Sequence, residues 1–349
     1  MRQKKIAVLH AQVPFIRGGA ELLVENLVKQ LKLRGYAAEI VSIPFKWYPN
    51  HALLDSYMMW RTADLREVSG EKIDLVIPLK VPTYAVKHPN KVTWVMHQYR
   101  AAYDLRDNPV CGGLNTVSGG LELSKKITEM DNAILKESKS IYGISQNVVS
   151  RLKIYNGIEA EPLYHPPAQV GKYYHESYGD YILSVGRLDK SKRIDLLIRA
   201  LQYSNSKARV VIAGKGPEDI ALKKLAHDLG VEKRVEFLGF VPDEDVLKLY
   251  ANALAVCFPP IDEDYGYITL EAFLSQKPVI TCCDSGGVLE FVVDKENGFI
   301  VNPKPEEVAA CFDLLYDDMQ MVKKYGKAGY ERVKNISWDH VIEELTKTI

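Results

Sequence analysis

The sequence predicts an α/β protein built from two doubly wound domains. Short apolar runs rich in valine and isoleucine alternate with segments of helical period along almost all of the 349 residues, a pattern typical of parallel sheets covered by helices on both faces. One stretch with prolines, glycines and no clear apolar period, "YHPPAQVGKYYHESYGDY", separates two sets of such runs. We therefore expect two Rossmann-like domains that face each other across a cleft, the usual place for a ligand in open α/β sheets.

The apolar runs are the predicted strands, and they fix the domain boundaries. Residues 1–165 form the N-terminal domain, residues 166–180 a linker and residues 181–336 the C-terminal domain. Residues 337–349 are a predicted helix that begins with Ser337 as its N-cap and packs back on the N-terminal domain. The predicted strands are "KIAVLHA", "AEIVSIPF", "DLVIPL", "VTWVMH" and "IYGIS" in the first half, then "YILSVGRL", "ARVVIAGKG", "VEFLGF", "LAVCFPP" and "KPVITCCD" in the second.

Charge distribution limits the partners that the chain can have. The chain is neutral overall, but residues 1–170 hold 22 Lys+Arg and 16 Asp+Glu, a net charge of +6, and the remainder holds 23 and 29, a net charge of −6. A basic half suits binding to acidic lipid or to an anionic acceptor. The alternative is a chance distribution of charged residues on solvent-exposed faces. No long block of basic residues is present, so we expect no nucleic-acid partner.

Cysteine usage and hydropathy indicate a cytoplasmic protein. The odd number of cysteines and the lack of CxxC spacing argue against a disulfide framework. The opening residues carry an apolar run of strand length without a small-residue cleavage site, which predicts a first strand and no signal peptide. No stretch approaches the roughly 18 apolar residues that a spanning helix needs. The cysteines are Cys111, Cys257, Cys282, Cys283 and Cys311.

One segment of the basic half could lie on a membrane surface. Residues 51–68 combine two arginines with a cluster of large apolar side chains, which would give weak peripheral association with an anionic membrane at its inner face. The alternative is an ordinary covering helix with its apolar side on the sheet. The apolar residues are Leu53, Leu54, Met58, Met59 and Trp60.

A glycine pair follows the first predicted strand. Gly18 and Gly19 stand immediately before an amphipathic helix, where glycine lets a backbone approach a ligand and the helix N-terminus favours an anion. A plain turn is the alternative. The pair is not part of a GxGxxG motif, so a dinucleotide site is not supported.

Cations and glycine turns follow the first three strands of the C-terminal half. Arg187 at a strand end and Lys192 just before a helix suit a diphosphate, although a solvated loop would carry them as readily. The turn "AGKGP" contains Lys215 between two glycines. The third strand ends at Gly239 and leaves the backbone near Val241 exposed.

The stretch "EDYGYITLEAF" follows the fourth strand of the same half. Gly266 can begin a helix that Glu263 precedes and that contains Glu271, and two carboxylates accept hydrogen bonds from a sugar or a ribose. The alternative, an acidic helix N-terminus stabilised by the macrodipole, explains Glu263 but not Glu271 or the glycine. The amides that would face an anion or a hydroxyl are those of Gly266, Tyr267 and Ile268.

These motifs together resemble those of the retaining glycosyltransferases of GT-B fold numbered family 4 among sugar transferases. They span nearly the whole chain in the family's order, and the glutamate pair with its internal glycine is the most specific. The matching motifs are "GGAE", "GRLDKSK", "AGKGP", "VEFLGFV", "EDYGYITLE" and "DSGGVLE".

The resemblance implies a metal-independent hexosyltransferase without a cofactor. Its donor would be a nucleotide sugar, with UDP-glucose expected, bound by the C-terminal domain. Its acceptor would be a growing polysaccharide or a lipid-linked glycan, bound by the N-terminal domain. The alternatives are a nucleotide-sugar epimerase of the same fold and a catalytically silent partner that retains the nucleotide site.

The resemblance also implies roles for individual residues. Four would act in catalysis: Arg187 and Lys192 on the donor diphosphate, Glu263 on the donor sugar, and His97, at the end of "VTWVMHQYR", near the anomeric carbon. Glu271 would take the ribose hydroxyls. The other donor-binding residues are Gly18, Gly19, Lys215, Val241, Gly266, Tyr267 and Ile268.

Departures from the family pattern adjoin the expected donor pocket. Asp264-Tyr265 replaces a common Pro-Phe, and Arg193 replaces a glycine that often follows the motif lysine, which points to an unusual sugar. Two "DED" runs, Asp243–Asp245 and Asp262–Asp264, could suggest an Asp-x-Asp metal site, but helix capping explains them more simply.

Overall fold

The computed structural model describes residues 2–15, 18–108 and 112–349 and confirms the α/β architecture. The ten predicted strands are all present as strands. Two compact units divide the chain: Met1–Ala168 with Ser337–Ile349, and Gln169–Ile336. Cys111 lies outside the described residues, and the four other cysteines are free thiols.

The first unit contains a parallel arrangement of short strands. Two three-stranded parallel sheets, ordered β2-β1-β5 and β6-β7-β8, are linked by a parallel bridge between Val76 and Lys91. A small antiparallel pair, β3 with β4, lies outside both sheets. The strands are β1 (Lys5–Gln12), β2 (Ala37–Pro44), β3 (Glu67–Val68), β4 (Glu71–Lys72), β5 (Leu75–Pro78), β6 (Val92–Val95), β7 (Ser140–Gly143) and β8 (Glu161–Pro162).

Helices of the first unit cover these strands with their apolar faces. The helix that follows β1 buries Leu23, Leu27 and Leu31, as its period predicts. The α-helices are α1 (Gly19–Leu33), α2 (His51–Thr62), α3 (Gly120–Leu135), α4 (Gln146–Asn156) and α11 (Trp338–Thr346). Short 3-10 helices cover Thr83–Ala85, Arg100–Ala102 and Leu114–Thr116.

Helix α2 is a covering helix, which confirms the alternative given for residues 51–68, and two of its large side chains are not available to a membrane surface. Leu53 and Trp60 are buried in the core of the unit, because they lie seven residues apart on one face of the helix. Met58 and Met59 remain exposed on the other side. Within the described part of the chain, no helix combines the length and hydropathy that crossing a membrane requires.

The C-terminal helix α11 packs within the first unit. Ser337 is its N-cap and accepts a hydrogen bond from the His340 amide at 3.5 Å. The Trp338 ring lies against Trp94 and His165, with centroid distances of 6.5 and 5.8 Å. Burial in this aromatic cluster lowers the pKa of His165 to about 3. The imidazole of His165 is therefore neutral when α11 is packed against it.

The second unit is built on one six-stranded parallel sheet. Its order is β11-β10-β9-β12-β13-β14. The first three strands of the unit are added toward one edge of the sheet and the next three toward the other edge, as in doubly wound folds, so the order reverses between β9 and β12. The last strand was not predicted. The strands are β9 (Tyr181–Val185), β10 (Arg209–Ala213), β11 (Val235–Gly239), β12 (Ala255–Cys257), β13 (Val279–Cys282) and β14 (Gly298–Val301).

Helices of the second unit pack on this sheet around a continuous apolar core. The α-helices are α5 (Ile194–Ala200), α6 (Asp219–Asp228), α7 (Asp243–Asn252), α8 (Tyr267–Leu274), α9 (Pro305–Asp317) and α10 (Met319–Val333). Short 3-10 helices cover Lys190–Lys192, Glu232–Arg234 and Gly287–Glu290.

Most of the segment expected to be a linker belongs to the second unit. The Glu176 and Ser177 amides donate to the Ala251 carbonyl at 3.0 and 3.1 Å. The Tyr178 hydroxyl donates to the Gln276 carbonyl at 3.2 Å, and its ring packs on the core. The polar composition of the segment gave no indication that Tyr178 packs on the core of the unit.

Candidate active site

Three glycines bring the loops after β9, β10 and β11 into contact. A Cβ on Gly214 would lie 1.8 Å from the Gly186 carbonyl oxygen, and a Cβ on Gly216 would lie 2.2 Å from the Leu188 oxygen. The Gly214 amide donates to the Gly239 carbonyl at 2.7 Å. Side chains at these positions would therefore separate loops that come from three neighbouring strands.

The loops place three predicted donor-binding residues at one edge of the second-unit sheet. Arg187 follows β9 and Lys215 follows β10, and both side chains are exposed. The Lys215 Cε lies 3.5 Å from where a Cβ of Gly239 would stand, two residues before Val241. The carboxyl ends of parallel strands thus collect these residues, as the sequence predicts.

Lys192 and Glu263, two predicted donor ligands, form an ion pair with each other. Their side chains are 21% and 25% exposed, so the pair is partly removed from water. The Lys192 Nζ also lies 5.7 Å from the centroid of the Phe258 ring. The sequence predicts that both face the donor, but it contains no sign that the cation and the carboxylate are partners.

Arg193 stands where the family often has glycine, and its backbone has the left-handed φ of 50° that glycine favours. Its guanidinium forms a two-pronged ion pair with the Asp284 carboxylate, with Nη1 to Oδ1 at 2.8 Å. This pairing lowers the pKa of Asp284. The Asp262 amide donates to the Asp284 carbonyl at 2.9 Å, so the loops around Lys192 and Glu263 share an anchor.

Gly266 begins α8 as the sequence predicts. It is the N-cap residue with a left-handed φ of 84°, and a Cβ there would lie 2.8 Å from Val288 Cγ2. Tyr267 and Ile268 occupy the first turn, where the geometry of a helix leaves the amides without intrahelical acceptors. The Gly287 amide donates to the Glu263 carbonyl at 2.7 Å and fixes the chain entering the helix.

Glu271 lies in the second turn of α8 beside two tyrosines that were not among the predicted site residues. The Tyr250 hydroxyl donates to its Oε2 at 2.7 Å, and Tyr173 lies near the same carboxylate. Burial raises the pKa of Glu271, and the two phenol hydrogen bonds oppose that shift. No local motif marks either tyrosine, and Tyr250 lies on the buried face of α7.

In the first unit, Gly18 and Gly19 begin α1, and Glu21 ties them to a buried charged cluster. The Gly18 amide donates to Glu21 Oε2 at 2.8 Å. His10 Nε2 and Lys80 Nζ lie 3.3 and 3.9 Å from Glu21 Oε1. Burial alone would raise the pKa of Glu21, but the hydrogen bonds from His10 and the backbone, with the Lys80 charge, lower it to about 2.

His10 and Lys80 were not among the predicted site residues. His10 lies near the end of β1 and Lys80 lies just after β5. Their place in the sequence could have indicated the cluster, because polar side chains at strand ends gather at one edge of a sheet. His97 lies two residues beyond β6, and its Nδ1 is 2.8 Å from the Gln98 carbonyl oxygen. The first unit thus carries His97, Gly18 and Gly19, and the second unit carries the other nine predicted site residues.

The two "DED" runs do not act as helix caps. Asp243–Asp245 forms the first turn of α7, whose N-cap is Pro242, and Asp262–Asp264 lies in the loop before Gly266. Neither run supplies the N-cap residue itself, but the first lies at a helix start, as predicted, where its charges favour the helix dipole. Among residues 2–15, 18–108 and 112–349, no three His, Cys, Asp or Glu side chains are grouped so that they could hold a metal ion.

Sequence similarity to known proteins is strongest in the second unit. Residues 171–332 match the family model described as "Glycosyl transferases group 1". An uncharacterised glycosyltransferase of Methanocaldococcus jannaschii is 36% identical over 170 residues, which cover 47% of this chain and 43% of that protein. The match therefore spans less than half the length of this relative.

A more distant relative and a solved structure extend the similarity to the first unit. The α-1,3/1,6-mannosyltransferase ALG2 of Dictyostelium discoideum is 25% identical over 308 residues, covering 76% of this chain and 72% of that protein. HepE of Anabaena, solved in complex with UDP and glucose, superposes with a TM-score of 0.71 over 99% of both chains at 17% identity. The chain therefore has the GT-B fold, and its second unit carries the sequence pattern of glycosyl transferases group 1.

Proposed function

We propose that this protein is a retaining glycosyltransferase that moves a sugar from a nucleoside diphosphate to a hydroxyl group of an acceptor. The observation that carries the proposal is the convergence of Lys192, Glu263 and the N-terminus of α8, with Glu271 one turn further along. This arrangement offers a cation and amides to a diphosphate, and carboxylates to hydroxyl groups.

The proposed chemistry depends on stabilising the leaving group. As the bond between the anomeric carbon and the phosphate oxygen breaks, negative charge grows on the β-phosphate. In this proposal Arg187, Lys192 and the first-turn amides of α8 receive that charge once the donor is bound. Following the family, the acceptor hydroxyl attacks the same face of the sugar and its proton passes to the departing phosphate oxygen, which retains the anomeric configuration.

Binding of the donor requires Lys192 and Glu263 to exchange partners. A diphosphate that takes Lys192 replaces one anion with another, and it releases the Glu263 carboxylate to accept hydrogen bonds from the sugar. One event would thus prepare both groups for the donor. We place His97 near the anomeric carbon on the family resemblance alone.

We propose UDP-glucose as the donor and a polysaccharide or lipid-linked glycan as the acceptor. The complex of HepE with UDP and glucose supports the donor, because that protein shares the fold across its whole length. The name of the Dictyostelium relative points instead to mannose. The contacts expected for the base would be made by the Val241 backbone.

The first experiment is a thermal-shift screen with UDP, GDP and ADP, followed by incubation with radiolabelled nucleotide sugars. A ligand that binds only the native state raises its stability by mass action, so we expect UDP to raise Tm. Slow release of free sugar from UDP-glucose would support a transferase, and release of an epimer would support the epimerase. A shift with GDP alone would reject the UDP assignment, and binding without turnover of any sugar would support a silent partner.

Transfer is expected to continue in EDTA. Arg187, Lys192 and the α8 N-terminus supply the positive potential that a divalent cation would otherwise provide. Initial rates should be measured after dialysis against the chelator, with and without added Mn²⁺. Activity that disappears on chelation and returns with Mn²⁺ would instead assign a metal to one of the Asp-x-Asp runs.

A further inference from the structure

The carboxylate of Glu271 is held by hydroxyl groups from two separate elements of the second unit. Tyr250, on α7, donates to Oε2 at 2.7 Å and is completely buried. Tyr173, in the segment before β9, lies close enough to the same carboxylate to lower its pKa. The two rings pack edge to face with centroids 6.2 Å apart, so the hydroxyl groups approach Glu271 as a packed pair.

This arrangement favours the ionised form of a largely buried carboxylate and fixes its orientation. Burial favours the protonated acid, whereas hydrogen bonds donated to the carboxylate favour its ionised form. A carboxylate has about four lone-pair sites, and Tyr250 occupies one of them at Oε2. The acceptor positions that remain are enough for the two hydroxyl groups of a ribose, one at the 2′ and one at the 3′ carbon.

We propose that Tyr250 and Tyr173 are positioning residues for the nucleoside, which orient the Glu271 carboxylate so that it accepts both ribose hydroxyls. The inference rests on the proposed function. It predicts that the tyrosine hydroxyls determine how strongly the protein prefers ribose to 2′-deoxyribose. A purely structural role for the tyrosines would affect stability without changing that preference.

The test uses the full-length protein with Tyr250→Phe and Tyr173→Phe, each of which removes one hydroxyl and keeps the ring. Calorimetry gives Kd for UDP and for 2′-deoxy-UDP. We expect the wild type to prefer UDP by about tenfold or more, because 2′-deoxy-UDP lacks a hydrogen bond to a charged acceptor. Each variant should bind UDP about tenfold more weakly and lose most of the preference.

Tyr181→Phe is the matched control. The Tyr181 hydroxyl donates to the Leu249 carbonyl at 2.8 Å in the same unit, so its removal deletes a similar hydrogen bond that does not involve Glu271. This variant should keep both the UDP affinity and the ribose preference. Thermal unfolding of all variants reports on folding, and Tyr173→Phe, at a part-buried position, serves if Tyr250→Phe does not fold.

The outcomes separate the inference from the function on which it rests. A wild type that binds none of UDP, GDP and ADP would refute the proposed function. A wild type that prefers UDP to 2′-deoxy-UDP, together with folded tyrosine variants that keep the full preference, would overturn the positioning role and leave the function standing. Loss of preference in the tyrosine variants but not in Tyr181→Phe would support it.

Discussion

A Lys192→Met variant is expected to transfer sugar about 100- to 1,000-fold more slowly than the wild type, the usual loss when one preorganised group that stabilises a developing anion is removed. Methionine keeps much of the length of the side chain and removes its charge. The loss should fall mainly on kcat, because charge on the β-phosphate grows as the bond breaks. Steady-state kinetics with the donor varied would measure it.

Lys190→Met is the control for this substitution. Lys190 lies on the same 3-10 turn and is exposed, so its replacement removes an equal charge without touching the Glu263 pair. Its kcat should remain close to that of the wild type. Equal losses in the two variants would mean that the turn contributes only a general positive field, and Lys192 would lose its assigned role.

Glu263→Gln is expected to bind free UDP more tightly while transferring sugar more slowly. In the wild type the Glu263 carboxylate competes with the diphosphate for Lys192, and the amide removes that competition. We expect UDP affinity to rise about fivefold to tenfold, which is up to about 1.4 kcal/mol. Turnover should fall, because a neutral amide holds the sugar hydroxyls less strongly than a carboxylate.

Calorimetry with UDP and kinetics with the complete donor would separate the two effects of Glu263→Gln. Asp195→Asn is a suitable comparison, since Asp195 lies exposed on α5 and pairs with Arg199 at 3.6 Å. It removes one negative charge from the same unit and should change neither quantity appreciably. Weaker UDP binding in Glu263→Gln would contradict the exchange of partners.

The sequence was sufficient to predict the strands and the turns that follow them. Buried parallel strands form continuous apolar runs, and glycines such as Gly214 and Gly266 stand where a Cβ would meet neighbouring atoms, so both features leave local marks. Contacts across the unit leave no such mark. Lys192 pairs with Glu263, 71 positions away, and no spacing rule connects the two.

The same distinction explains what the sequence left open. A membrane surface and the core of the unit were both open for the apolar residues of α2, because composition does not say what lies opposite a helix face, and here the core covers Leu53 and Trp60. Tyr173 and Tyr250 were missed because a tyrosine is equally common in a core and in a site. Only the structure shows that their hydroxyls meet on Glu271.

The return of α11 to the first unit has a consequence for dividing the protein into fragments. A fragment that stops at Ala168 would lack Trp338, and so would uncover the indole of Trp94 and the imidazole of His165. It would also leave the Tyr142 hydroxyl without Glu344, its partner at 2.7 Å. The first unit is therefore discontinuous in sequence, and isolating it requires residues 337–349 to be joined back to residues 1–168, whereas residues 169–336 can be excised as a single uninterrupted piece.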